Sequence, residues 1–364
     1  HWAFRKILSP QPPDVENEAW LNNPVDRFVL SSLERQGWIP SPRADKRTLI
    51  RRAHLDLTGL MPSYANVQKV LADKSPDAWD NLIKHLLASP HYGERWGRHW
   101  LDVARYADNK GYVGVGVDRR YPYSYMYRDY VVRSFNEDLP FNQFIIEQIA
   151  ADHLALGKDK RPLAALGFLT LGRRFLNRPD DIIDDRIDVV TRGFMGLSVS
   201  CARCHDHKYD PISQKEFYQL FAMFDGLDEK GFINNLRGSA EPRHRYKKSE
   251  FEAAVKTLEA EVPDQKARDG KIKELEARHP HVMVMRDEVD RKAFVLKRGQ
   301  YDSKGEEVSP GLPQAFSPTP EGENLTRLDL AQWMVDGEHS LTARVFVNRI
   351  WEQFFGTGIV KSSE

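Results

Sequence analysis

Cys201-Ala202-Arg203-Cys204-His205 is the stretch that decides how the rest of the chain is read. Two thiols three positions apart, with a histidine directly after them, have the spacing of a covalent c-type haem attachment site. The sulfurs can form thioethers to the haem vinyl groups, and the imidazole of His205 arrives from the same turn as a proximal iron ligand. These are the only two cysteines in 364 residues, so none is left for a structural disulfide or an all-cysteine zinc site. Two other chemistries share part of the pattern. His205 and His207 could complete a four-ligand zinc set, and Cys-x-x-Cys is also a redox dithiol. Zinc fingers, however, place their histidines about a dozen residues beyond the second cysteine, whereas here both follow within three. The expected cofactor is one covalent haem c on Cys201 and Cys204, with His205 as its proximal ligand.

Haem c is attached after export, on the oxidising side of a membrane, so the expected location is the periplasm or the cell surface. His1-Trp2-Ala3-Phe4-Arg5 lacks the basic-then-apolar order of a signal peptide. The chain is therefore expected either to have lost one or to start inside a longer polypeptide. No run of about 18 apolar residues occurs, so no transmembrane segment is expected. Lys and Arg number 53, as do Asp and Glu, and this balance argues against a nucleic-acid partner recruited by a basic surface.

The expected fold is mainly α: a multi-helix haem c domain, a small β element and a truncated helical C-terminal part. Asn23-Pro24, Ser75-Pro76 and Ser89-Pro90 each set a capping residue before a proline suited to the first helical position. Val25, Phe28, Val29 and Leu33 follow at helical spacing, as do Trp79, Leu82, Ile83, Leu86 and Leu87. The stretches 125–135, 141–149 and 182–197 keep the same period. From Glu250 to Arg278 the pattern is charged, predicting an exposed helical hairpin broken near Pro263. His281–Met285 and Ala293–Leu296 read as a β pair, followed by a Pro/Gly-rich loop over 299–320. Apolar periodicity then resumes from Leu325 to Phe355 and runs almost to Glu364. The predicted divisions are 1–230, 231–320 and 321–364. Residues 342–360 are expected to need a covering segment for Phe346, Ile350 and Phe354.

Three longer motifs carry a family resemblance. Leu55-Asp-Leu-Thr-Gly-Leu60, the run from Gly93-Glu-Arg-Trp-Gly-Arg-His-Trp to Asp108, and Cys201 to Ile212 are similar to the planctomycete cytochrome-type domain DUF1549 (PSCyt2). Leu341-Thr-Ala-Arg-Val-Phe-Val-Asn-Arg-Ile-Trp351 and Phe355-Gly-Thr-Gly-Ile-Val360 resemble the opening of its usual partner, DUF1553 (PSD1). The resemblance implies an exported, haem-c-bearing, multidomain protein, often encoded near polysaccharide-degrading enzymes. It also implies the remainder of the DUF1553-like domain as a partner, with a separate chain as one way to supply it.

Beyond the motif, the segment 95–108 holds the candidate catalytic groups. On a helix Arg95, His99 and Asp102 share one face, and Arg105 and Tyr106 follow. A histidine beside an arginine suits the distal side of a haem, where one moves a proton and the other stabilises developing charge. The competing reading pairs His99 with Asp102 as a buried packing contact. His99 is thus a candidate distal ligand or acid–base group, with Arg95, Arg105 and Tyr106 around it. Met126, Met195 and Met223 read as core packing. Asp206 and Asp210 are turn and cap residues first, with calcium a lesser expectation. The expected function is a haem-dependent oxidative enzyme with carbohydrate as a candidate substrate. The alternatives are an electron-transfer cytochrome module serving a redox partner, and a surface protein that haem merely stabilises.

Overall fold

The computed structural model describes residues 1–109, 121, 123–172, 178–227, 242–287, 291–319 and 324–361. The chain is mainly helical with two small antiparallel sheets of two strands each. It divides into two compact units, one of Lys6–Ala88 and one of His1–Arg5 with Ser89–Glu364. Among the described residues no helix is long and apolar enough to cross a membrane.

The smaller unit holds α1 (Pro24–Arg35), α2 (Lys46–Thr58), α3 (Tyr64–Ala72) and α4 (Ala78–Leu87). Helix α1 starts where Asn23-Pro24 places it. The Asn23 side chain accepts from the amides of Val25 and Asp26, and the Asp26 carboxylate accepts from the Asn23 amide in return. That box satisfies donors no helix can satisfy internally. Ser75-Pro76 works differently: Ser75 turns back onto the Asp73 carboxylate, and α4 begins two residues beyond the proline. Ile50, Ala53, Leu82 and Leu86 form this unit's own core.

In the larger unit α5 (Pro90–Val103), α6 (Tyr125–Asn136), α7 (Phe141–Ala150), α8 (Gly167–Thr170), α9 (Pro179–Val190) and α10 (Gln214–Phe224) surround a single aromatic and aliphatic core. Trp100 of α5 stands at its centre, stacked on Phe168 and Phe194, while its indole N–H donates to Gln148 at 2.8 Å. A Cβ on Gly93 would lie 2.3 Å from the Val132 carbonyl oxygen, so only glycine lets α5 approach α6 this closely. Helix α9 ends in one π-helical turn over Thr191–Met195, which leaves two carbonyls to other donors. Arg349 supplies them, bonding the carbonyls of Arg192 and Gly193.

Helices α11 (Lys248–Glu261) and α12 (Gln265–Arg278) are the charged hairpin, with no buried residue. The expected β pair is corrected. Strand β1 (Arg243–Arg245) pairs with β2 (His281–Met283), while β3 (Ala293–Leu296) pairs with β4 (Lys304–Val308). Strand β4, Lys-Gly-Glu-Glu-Val, lies inside the expected loop. Only its Val308 is buried, so the strand shows no alternation to read.

Helices α13 (Arg327–Met334) and α14 (Thr342–Phe355) close the chain onto the same core. Phe346 stacks on Phe141 at 3.6 Å between ring centres, and Phe354 lies against Trp96 at 5.3 Å. The inner face of α14 is therefore partly covered by α5 and α7, while Val347 and Phe355 stay exposed. The first residue of α13, Arg327, is wholly buried. Its guanidinium clasps both oxygens of Asp152 at 3.1 and 2.9 Å and meets Asp287 at 3.2 Å. It also donates to the carbonyls of Ile149 at 2.7 Å and Met285 at 3.0 Å. Removing one partner of such a pair strands buried charge and costs about 3–5 kcal/mol. Arg327→Ala is expected to lower unfolding stability by that order in urea titration. A loss within the range of a surface substitution would show that the cluster does not hold α13.

Candidate functional site

The cysteine motif sits on a short 3-10 turn, Val199–Arg203, between α9 and α10. In this helix residues three apart eclipse one another. Val199 and Ala202 point into the core, whereas Cys201 and Cys204 are both exposed and both free thiols. The turn is pinned by its Arg203 carbonyl, which accepts from the Tyr218 hydroxyl at 2.9 Å and from the Gln214 amide at 3.0 Å.

His205 is exposed, and its Nδ1 lies 2.7 Å from the carbonyl oxygen of Asp206. A carbonyl only accepts, so Nδ1 carries the hydrogen and Nε2 is the nitrogen left to serve as a ligand. That tautomer, fixed by a backbone carbonyl, is the one metal-binding imidazoles commonly use. Gly299, with φ +69°, approaches Cys204 from the turn after β3; a Cβ there would lie 2.7 Å from Cys204 Sγ. Its missing side chain leaves the sulfur clear. The residues present thus fit a covalently attached haem. Among the described residues no three His, Cys, Asp or Glu groups converge as metal ligands. Asp206 caps instead, accepting from the Gln214 amide at 2.8 Å, while His207 Nδ1 accepts from the Asp210 amide at 2.9 Å.

Beside the turn lies a cleft of about 420 Å³. One wall is α9, whose Asp181, Asp184, Asp185 and Asp188 recur at helical spacing along one face; the other includes Ser200, Arg203 and Phe217. Three arginines answer the four carboxylates. Arg203 Nη1 lies 2.6 Å from Asp184 Oδ2 and 3.8 Å from Asp181. Arg192 pairs with Asp188 at 3.0 Å. Arg105, in a left-handed conformation just past α5 (φ +56°), grips both Asp185 oxygens at 2.8 and 3.2 Å. The Asp184 carboxyl is pushed up to about 7: burial outweighs the charge of Arg203, and Asp181, Asp180 and Asp185 add to the rise.

Of the four α5-region candidates Arg105 reaches the cleft wall, through its pair with Asp185. Tyr106 turns aside, its hydroxyl donating to Asp108 at 2.6 Å and its ring resting on Tyr127. Burial raises its phenol to about 12. His99 packs edge-on against Trp96 at 5.6 Å, and burial, then the charge of Arg95, holds its imidazole below the ordinary value. Arg95 has a buried Nε without a partner. Among the described residues no hydrogen bond joins His99 to Asp102, and no contact carries His99 or Arg95 to the cleft. Met195 and Met223 are buried core residues, and Met126 packs against the same core. The acidic face of α9 is the element that sequence reasoning missed. Its spacing is plain in Asp180-Asp-Ile-Ile-Asp-Asp-Arg-Ile-Asp188, but such a face ordinarily looks into solvent.

A helical protein with an exposed cysteine–histidine turn above a charged cleft is the class that fold and site define. Residues 24–229 match PSCyt2, a protein family of unknown function (DUF1549), and the chain belongs to that family. Residues 326–364 match PSD1, a second family of unknown function (DUF1553). No curated protein and no solved structure matches the chain.

A carboxyl raised by burial makes folding pH-dependent. In the unfolded chain Asp184 has an ordinary carboxylate value, so below that value both states are protonated and nothing is lost. As pH rises towards 7 the unfolded chain ionises more readily, and stability falls. Asp184→Asn removes this penalty. Its melting temperature is expected to exceed that of the wild type at pH 8 by more than at pH 4, measured calorimetrically. Equal differences at the two pH values would contradict the assignment.

Proposed function

We propose that this is an exported c-type haem protein with redox function. The observation that carries the reading is the turn itself: two exposed thiols three positions apart, and beside them an imidazole whose Nδ1 is committed to a carbonyl. Cys201 and Cys204 would hold the group through thioethers, and His205 Nε2 would face the iron. When bound, the haem supplies a one-electron couple and an iron centre able to take a further ligand. The chain's own residues set the surroundings. Arg203, between the cysteines, places a fixed positive charge beside the attachment point, and the Asp184 pair draws that charge towards α9.

The cleft favours an oxidative enzyme over a bare electron carrier. Its paired carboxylates and guanidinium groups offer both acceptors and donors, which suits a hydroxyl-rich ligand such as a carbohydrate. Exposure of the cysteines and His205 favours the second reading, an electron-transfer module, because a group attached there keeps an edge open to a partner protein.

The remaining partner is the rest of the DUF1553 domain, which would cover Val347, Phe355 and Ile359 on and after α14, all more than half exposed. In a chain carrying that whole domain, backbone amides of α14 are expected to exchange more slowly than in this one. Unchanged exchange would remove this partner.

Because thioethers are covalent, the haem is expected to stay with the polypeptide through acid–acetone extraction and to give a c-type pyridine haemochrome spectrum. Cys201→Ser combined with Cys204→Ser should abolish it. Stoichiometric zinc in place of iron would overturn the reading.

A further inference from the structure

We propose that the Asp184 carboxyl is the proton-accepting group coupled to the redox centre at Cys201–His205, acting through Arg203 as a positioning residue. This rests on the haem reading above. Arg203 lies between the two haem-bearing cysteines, and its guanidinium reaches away from them into the cleft. There it meets Asp184 Oδ2 at 2.6 Å and lies over the Tyr301 ring at 4.7 Å. The Tyr301 hydroxyl in turn bonds Asp181. Asp184 Oδ2 is fully enclosed and, among the described residues, has no hydrogen-bond partner; Arg203 meets it as an ion pair. One protein charge therefore links the cysteine turn to one enclosed oxygen.

The surroundings make that oxygen ready to change state. Asp184 faces Asp180, Asp181 and Asp185 of its own helix, Arg203 from the cysteine turn and Tyr218 from α10, with Tyr301 behind Arg203. On the same wall Asp185 and Asp188 are already paired with Arg105 and Arg192. Asp184 alone is split between burial, which favours its neutral form, and a single guanidinium, which favours its charged form. Its protonation accordingly lies close to balance near neutral pH. A further change of one unit in nearby charge tips it.

A haem held by Cys201, Cys204 and His205 would take up one electron from a one-electron donor protein, and the net charge at the turn that carries Arg203 would then fall by one. The Asp184 carboxylate, paired with Arg203, would be less favoured and would take one proton from solvent, so that one electron and one proton would enter together and leave together on oxidation. The coupling is reciprocal: if reduction raises proton affinity, protonation must raise the midpoint potential.

The test is the midpoint potential of the haem-loaded protein between pH 5 and 9, by optical titration with mediators. A tenfold change in proton activity corresponds to about 59 mV for a one-electron couple, and that sets the steepest slope. The wild-type potential is expected to fall as pH rises through 7. Asp184→Asn should be flat across the same window, and Arg203→Gln should move the fall to higher pH, because the carboxyl loses its cation. Infrared difference spectra of reduced minus oxidised protein should show a protonated-carboxyl C=O band that Asp184→Asn removes. A flat wild-type potential, or a slope unchanged in Asp184→Asn, would overturn the proposal while leaving the haem reading intact. Absence of a c-type haemochrome spectrum would instead remove the haem reading itself.

Discussion

The burial of Arg327 is the constraint on which the larger unit's arrangement depends. A guanidinium cannot be taken out of water unless its donors are met, and here they are met by Asp152, Asp287 and two backbone carbonyls. These acceptors come from the end of α7, from the short turn after it and from the segment following β2. The cation itself opens α13. His153 adds an Nε2–H bond to Asp287 at 2.8 Å. Burial alone would raise the Asp287 carboxyl, yet hydrogen bonding from His153 and the charge of Arg327 hold it below its ordinary value. Buried ion pairs of this kind add little net stability, because desolvation offsets attraction. Their effect is selective. Any other docking of α13 would leave a charge stranded, so the cluster specifies how residues of the two matched family segments meet.

Much of the helical plan was legible from local chemistry. Asn23-Pro24 and Ser89-Pro90 start helices because the capping oxygen and the missing proline N–H act within a few residues. The α11–α12 hairpin was readable because few apolar residues interrupt its charge. Strand pairing was not legible: His281–Met283 and Ala293–Leu296 each look like strands, but their partners are Arg243–Arg245 and Lys304–Val308, which carry little apolar signal. A partner chosen by tertiary packing leaves no mark in its own sequence.

The site divides the same way. Cys201, Cys204 and His205 could be read directly because their chemistry depends on spacing within one turn. In the segment 95–108 helical spacing places Arg95 and His99 on a common face. Beyond the helix end that logic stops. The left-handed Arg105 sends its side chain to Asp185, while Tyr106 returns to Asp108 and His99 remains against Trp96. The α9 carboxylates were visible as a pattern, but only the fold turns them towards Arg203 and encloses Asp184 Oδ2.

The proposed function stands or falls with haem on Cys201 and Cys204 and with His205 as its ligand. The most direct measurement is mass analysis of the peptide containing Cys201–His205, taken from exported protein after alkylation of free thiols under denaturing conditions. This peptide is expected to carry the added mass of one haem, with neither cysteine alkylated. Recovery of the peptide with both thiols alkylated and no haem would contradict it.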